Sequence, residues 1–77
     1  MGIERRIKTF EKLDGSARLF IMERDDGLCR FFGERLADEC GETFWEPCDF
    51  SGLYGSALEA ERAAGSEVSW LRDQISN

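Results

Sequence analysis

The stretch Ser51-Gly52-Leu53-Tyr54-Gly55-Ser56-Ala57-Leu58-Glu59-Ala60-Glu61-Arg62-Ala63-Ala64 contains a change of rhythm at Ser56. Before it, apolar residues come in short alternating runs broken by Asp-Gly turns. After it, they recur at helical spacing. Ser56 is a good N-cap, and Glu59 completes a Ser-x-x-Glu capping box. Ala57, Ala60, Ala64, Val68, Leu71 and Ile75 then fall on one stripe at steps of three and four. The early stripe positions are all Ala, so the helix backbone is able to approach its neighbour closely. Gly65-Ser66 is the weak point, costing about 1 kcal/mol relative to Ala inside a helix, and leaves open whether the segment is one helix or two.

Upstream of Ser56 the period is two. Ala17–Arg24 reads as a strand, with Leu19 and Ile21 on one side and Phe20 and Met22 on the other. Asp25-Asp26-Gly27 supplies a hairpin turn, and Leu28–Leu36 reads as the antiparallel partner. Ala37–Glu42 is polar and acidic and reads as a loop. Thr43–Glu46 returns to strand chemistry, and Pro47 ends that strand or holds it at an edge. Residues 3–13 fit a helical face through Ile3, Ile7 and Phe10. They equally fit a first strand over Ile7–Leu13 feeding Asp14-Gly15, which gives the simpler meander. The expected fold is α+β: a three- or four-stranded antiparallel β-meander with a C-terminal α-helix packed on one face, as a single domain over residues 1–77.

A chain of 77 residues has a thin core. Its nine aromatics (six Phe, two Trp, one Tyr) are bulky filling for that core and place it among folded proteins. The net charge of −6 is unevenly spread. Residues 1–35 carry eight basic and seven acidic side chains, and residues 36–77 carry two basic and nine acidic. The acidic half repels a polyanion. No apolar run approaches the roughly 18 residues that span a bilayer. The start Met1-Gly2-Ile3-Glu4-Arg5-Arg6 has neither the apolar stretch of a signal peptide nor the hydroxyl residue of a myristoylation motif at position 6. A cytoplasmic protein with reduced thiols and no membrane partner is expected.

Histidine is absent, which removes the commonest general base and zinc ligand. Cys29, Cys40 and Cys48 are separated by ten and seven residues, so there is no Cys-x-x-Cys pair. Acidic neighbours around Cys40 and Cys48 (Asp38, Glu39, Glu42, Glu46, Asp49) disfavour a thiolate. The same acids lack the ligand spacing and central Gly of a calcium loop. No phosphate-binding glycine pattern occurs. No catalytic residue, metal or cofactor is expected, and an enzyme is not.

The suggestive pattern is the mixing of aromatics and arginines on the strands. Arg18, Phe20, Met22 and Arg24 share one face, and Phe31 and Arg35 are expected on or near it across the hairpin. Aromatics and Arg dominate binding hot spots. A protein partner, or a second copy of this chain, is the expected ligand. One form is the neutralisation of a basic partner, as by immunity-type proteins, with Asp38, Glu39 and Glu42 steering the encounter. Nucleic acid stacked on the same face is the alternative.

The stretches Gly27-Leu28-Cys29-Arg30-Phe31-Phe32-Gly33-Glu34-Arg35, Trp45-Glu46-Pro47, Ser51–Ala64 and Trp70-Leu71 resemble small bacterial domains that carry no established activity. In order of elements the chain also resembles the three-strand-plus-helix domains of plant ethylene-response DNA-binding proteins and phage integrase arms. That resemblance implies DNA reading by a basic, aromatic sheet. The chain departs from it in net charge and in its acidic third strand.

Overall fold

The computed structural model describes residues 3–75. Four strands, β1 (Glu4–Glu11), β2 (Ala17–Arg24), β3 (Cys29–Glu39) and β4 (Glu42–Phe50), precede two short helices, α1 (Ala57–Glu67) and α2 (Ser69–Ile75). The strands form one antiparallel sheet in the order β1-β2-β3-β4. Residues 3–13 thus supply a strand, which begins three residues earlier than the Ile7–Leu13 expectation.

Each hairpin turn is made by its own local chemistry. At Asp14, one carboxylate oxygen accepts from both the N–H and the hydroxyl of Ser16, at 2.9 and 2.6 Å. At Asp25-Asp26-Gly27 the Arg24 N–H donates to the Leu28 carbonyl at 2.8 Å, and Gly27 takes a φ of +87°. This is a three-residue loop with glycine in the left-handed position. At the third turn, Cys40 and Gly41 have φ values of 54° and 82°. Two consecutive left-handed residues make the tight turn whose twist matches its flanking strands.

That third turn corrects the loop expected over Ala37–Glu42. β3 runs on to Glu39, and β4 starts at Glu42. Polar residues read as loop because this end of the hairpin is exposed, so no buried face imposes an apolar alternation. Pro47 lies inside β4, which is an edge strand, and the pairing steps from Gly33↔Asp49 to Glu34↔Pro47. Cys48 is the extra residue of that bulge. Gly33 makes the close approach possible, since a Cβ there would sit 3.0 Å from an Asp49 carboxylate oxygen. After Phe50 the chain stays against β3. The Ser51 hydroxyl accepts from the Phe31 N–H at 2.8 Å, and Tyr54 and Cys29 exchange backbone bonds at 2.7 and 2.9 Å.

The core is one cluster of Leu19, Ile21, Cys29, Phe31, Ala60, Ala64, Val68 and Leu71. Its four strand members share one side of the sheet, because Leu19 pairs with Gly33, Ile21 with Phe31 and Glu23 with Cys29. We call this side the core face. Phe10, Tyr54 and Trp70 are partly buried around the cluster. Burial of a large apolar side chain contributes about 1.5–3 kcal/mol, so Phe31, Leu19, Ile21 and Leu71 carry much of the stability.

The capping box forms: the Ser56 hydroxyl accepts from the Glu59 N–H at 3.2 Å. In the reciprocal bond the Glu59 carboxylate accepts from the Gly55 N–H, one residue earlier than the standard pattern. The helix divides at Val68, not at Gly65-Ser66. Gly65 stays helical and buried, and Val68 turns extended (φ −98°, ψ 106°) while its N–H still reaches the Ala64 carbonyl. The break falls there because it keeps Val68 in the core while redirecting the chain so that Leu71 joins it. Ile75, the last stripe position, has its side chain outside the described residues. Gln74 fastens α2 to the first hairpin, accepting from the Leu13 N–H and donating to the Glu11 carbonyl.

Ala60 is fully buried and Leu58 is exposed on the same helix. Ala60→Glu places an unpaired charge in the core and is expected to abolish the cooperative thermal transition followed by circular dichroism. Leu58→Glu is expected to melt like the parent. An unchanged transition for Ala60→Glu would contradict this packing.

Candidate interaction surface

The register that builds the core also aligns a row of aromatics on the opposite side of the sheet. Phe20 pairs with Phe32, and Phe32 with Phe50. Trp45 joins the same side opposite Leu36. Phe20 and Phe32 meet with ring centroids 5.0 Å apart, tilted by 45°.

Arginine planes roof this row. The Arg6 guanidinium lies 4.9 Å from the Phe20 centroid and that of Arg30 5.2 Å from Phe32. Arg18 bridges two rings, 5.2 Å from Phe20 and 3.8 Å from Trp45. Carboxylates hold two of these planes. Glu34 accepts from Arg18 at 2.7 Å. Glu4 takes both prongs of Arg30, at 2.7 and 2.8 Å, reaching from β1 to β3 over β2. The guanidinium is suited to this work because it is flat, weakly hydrated and able to bond a carboxylate through its edge while stacking through its face. As a result Phe20 is only 3% exposed.

The hydrogen bond from Arg30 holds the Glu4 carboxyl below its ordinary value, against a smaller opposing effect of desolvation, and Glu4 in turn raises Arg30. The pair is therefore charged at neutral pH.

The expected surface residues separate. Arg18, Phe20, Met22 and Arg24 do alternate onto this aromatic face, where Arg24 pairs with Asp26 at 2.9 Å and Met22 lies half-buried opposite Arg30. Phe31 and Arg35 do not join them. Their partners are Ile21 and Ala17, which puts both on the core side. Phe31 is 2% exposed within the core, stacked against Tyr54, and Arg35 pairs with Glu46 at 3.1 Å. The cause is the parity of the three-residue turn, which sets even residues of β2 against even residues of β3. Asp25-Asp26-Gly27 carried that signal, since glycine in third place is the mark of this loop length. Phe32 and Arg30 are the members of the face that this parity reveals, while Trp45 and Phe50 join it through the β3–β4 register and Arg6 through the β1–β2 register.

The accessible part of the face lies toward β4. Phe50 is 69% exposed and Leu36 43%. Asp38, Glu39 and Glu42 all lie exposed beside the Cys40–Gly41 turn, but only two share a side of the hairpin: Glu39 stands opposite Glu42, and Asp38 points to the other side. Among the described residues no cation stands within ion-pair distance of these three.

The thiols do not converge. Cys29 is buried, and burial raises its pKa. Cys48 Sγ lies 3.2 Å from an Asp49 carboxylate oxygen, and partial desolvation together with that contact pushes it up to about 11. Among the described residues no three Cys, Asp or Glu side chains are placed so that they could hold one metal ion, and no helix is long and apolar enough to cross a membrane. No protein-family model, curated protein or solved structure matches this chain.

Two outcomes follow for the roof of arginines. Arg18→Ala removes two ring contacts and an ion pair, and is expected to cost about 2 kcal/mol in urea unfolding. Arg18→Lys is expected to recover less than half of that, because an ammonium has no plane to stack. Equal stability of Lys and parent would show that charge alone matters. For the Glu4–Arg30 pair, a lowered carboxylate pKa contributes stability that is present above the unfolded-state value and lost as the pH falls through the lowered one. Glu4→Gln is therefore expected to melt below the parent at neutral pH, with the gap closing on acidification. A gap independent of pH would remove the ion pair as its cause.

Proposed function

We propose that this chain is a non-enzymatic protein-interaction module of the cytoplasm. The two helices pack on the core face, and the aromatic face is left for a protein partner. One observation carries this reading. Phe20, Phe32 and Phe50 form a continuous row whose first member is buried and whose last is 69% exposed. A row that closes at one end and stands open at the other is an apolar surface awaiting cover, and such surface on a small domain usually marks a partner. Stacked aromatics and arginines are also the side-chain types that dominate binding energy.

The charges favour a protein over a nucleic acid. Arg18, Arg24 and Arg30 are already bound to Glu34, Asp26 and Glu4. A phosphate must displace those carboxylates before it gains its contact. The acidic tip near Asp38 favours encounter with a basic partner.

Phe50→Asp tests the face, with Leu58→Asp as a control on the exposed side of α1. Affinity capture from a lysate of the native organism is expected to return a stoichiometric protein with the parent and with Leu58→Asp, and to lose it with Phe50→Asp. Retention by Phe50→Asp, or recovery of nucleic acid that leaves at high salt, would overturn the reading.

A further inference from the structure

The sheet has two outer edges, and they differ. β1 is interrupted midway, where its pairing shifts between Arg6 and Lys8, and it carries Arg5, Arg6 and Lys8. A bulge and cations are standard guards of an exposed edge. β4 is guarded over only half its length. Pro47 offers no N–H, and Cys48 is bulged. From Glu42 to Glu46 the register against β3 is unbroken, and among the described residues nothing pairs with the other side.

We propose that Glu42–Glu46 accepts an extended, basic segment of a partner protein as a fifth strand. The proposal rests on the interaction-module reading and names the partner's chemistry at this edge. Backbone pairing supplies affinity in strand addition, and alternate side chains supply specificity. Both sides of this window offer apolar contact to such a strand. Phe44 is 42% exposed on the core side, and Leu36 and Trp45 lie on the aromatic side. The charge selects the occupant. Asp38, Glu39 and Glu42 surround the window with no cation in reach among the described residues, and the cation beside Glu46 is Arg35 of the same chain. A second copy is disfavoured, because antiparallel pairing centred on Phe44 sets Glu42 of each copy against Glu46 of the other. A strand bearing Lys or Arg at alternate positions turns that repulsion into attraction. Pro47 and the Cys48 bulge end the window, so the docked segment is short.

The test is an amide NMR titration with a peptide of alternating Lys and Val. A second peptide of the same sequence, N-methylated at every amide, keeps the charge and loses the backbone donors. The expected result is a set of shifts concentrated in Glu42–Glu46 with the first peptide and none there with the second. Asp38→Lys with Glu42→Lys is expected to weaken binding by about tenfold, the effect of reversing two exposed pairings. Equal binding of both peptides, shifts scattered over the acidic surface, or no binding at millimolar peptide would overturn the edge proposal. The interaction-module reading fails separately, on capture by Phe50→Asp.

Discussion

A sheet has two faces, and this chain supplies helix side chains to the core cluster of one of them. The constraint that follows is how to keep water from the aromatic ring at the centre of the other. The solution is Arg18. Its guanidinium lies against Trp45 and Phe20 while its edge bonds Glu34. Arg6 covers Phe20 from the β1 side. Side chains usually counted as surface charge thus act as a thin second layer, with apolar stems and flat heads. Each head needs a carboxylate or a ring to hold it in place, which explains why Glu4 and Glu34 sit on the same face. The cover stops at Phe50, the last residue of β4, which is 69% exposed. The interaction surface and the stability of the face are therefore two ends of one row.

The long third hairpin follows from different local chemistry. Cys40 and Gly41 turn the chain tightly, so β3 and β4 project as an arm beyond the core residues. Gly33 and the Cys48 bulge sit at its root. The acids at its tip, Asp38, Glu39 and Glu42, have no cation within ion-pair distance among the described residues, in contrast to the paired acids of the aromatic face. That contrast separates charges that hold the fold from charges that face outward, and it directs attention to the arm as a place where a basic partner is met.

Local signals were legible in the residues. The Ser56–Glu59 cap was, because it is a hydrogen bond between near neighbours. The Ala60, Ala64, Val68, Leu71 stripe was, because helical period and burial coincide. Which residues share a strand face was legible too, since the pleat fixes it. What pairs across strands was not. Phe31 and Arg35 lie on the side opposite to expectation because register depends on the length of the turn, and one residue of difference exchanges the two faces. The arm at Ala37–Glu42 escaped for another reason: an exposed hairpin end carries no apolar alternation to betray it. The break at Val68 escaped because Gly65 is the weaker helix former, yet packing decided where the chain bends.

The roof of arginines is the central claim, and side-chain NMR of arginine in the isolated protein tests it most directly. Stacking on Trp45 and Phe20 is expected to move the Arg18 δ-proton resonances upfield, and the bond to Glu34 to slow exchange of its Nε proton with water. Arg18 signals at the positions of an unstructured peptide, exchanging as fast as the other exposed arginines, would contradict it: Phe20 would then lie open to water, and the face would need a second copy of the chain or another layer to close it.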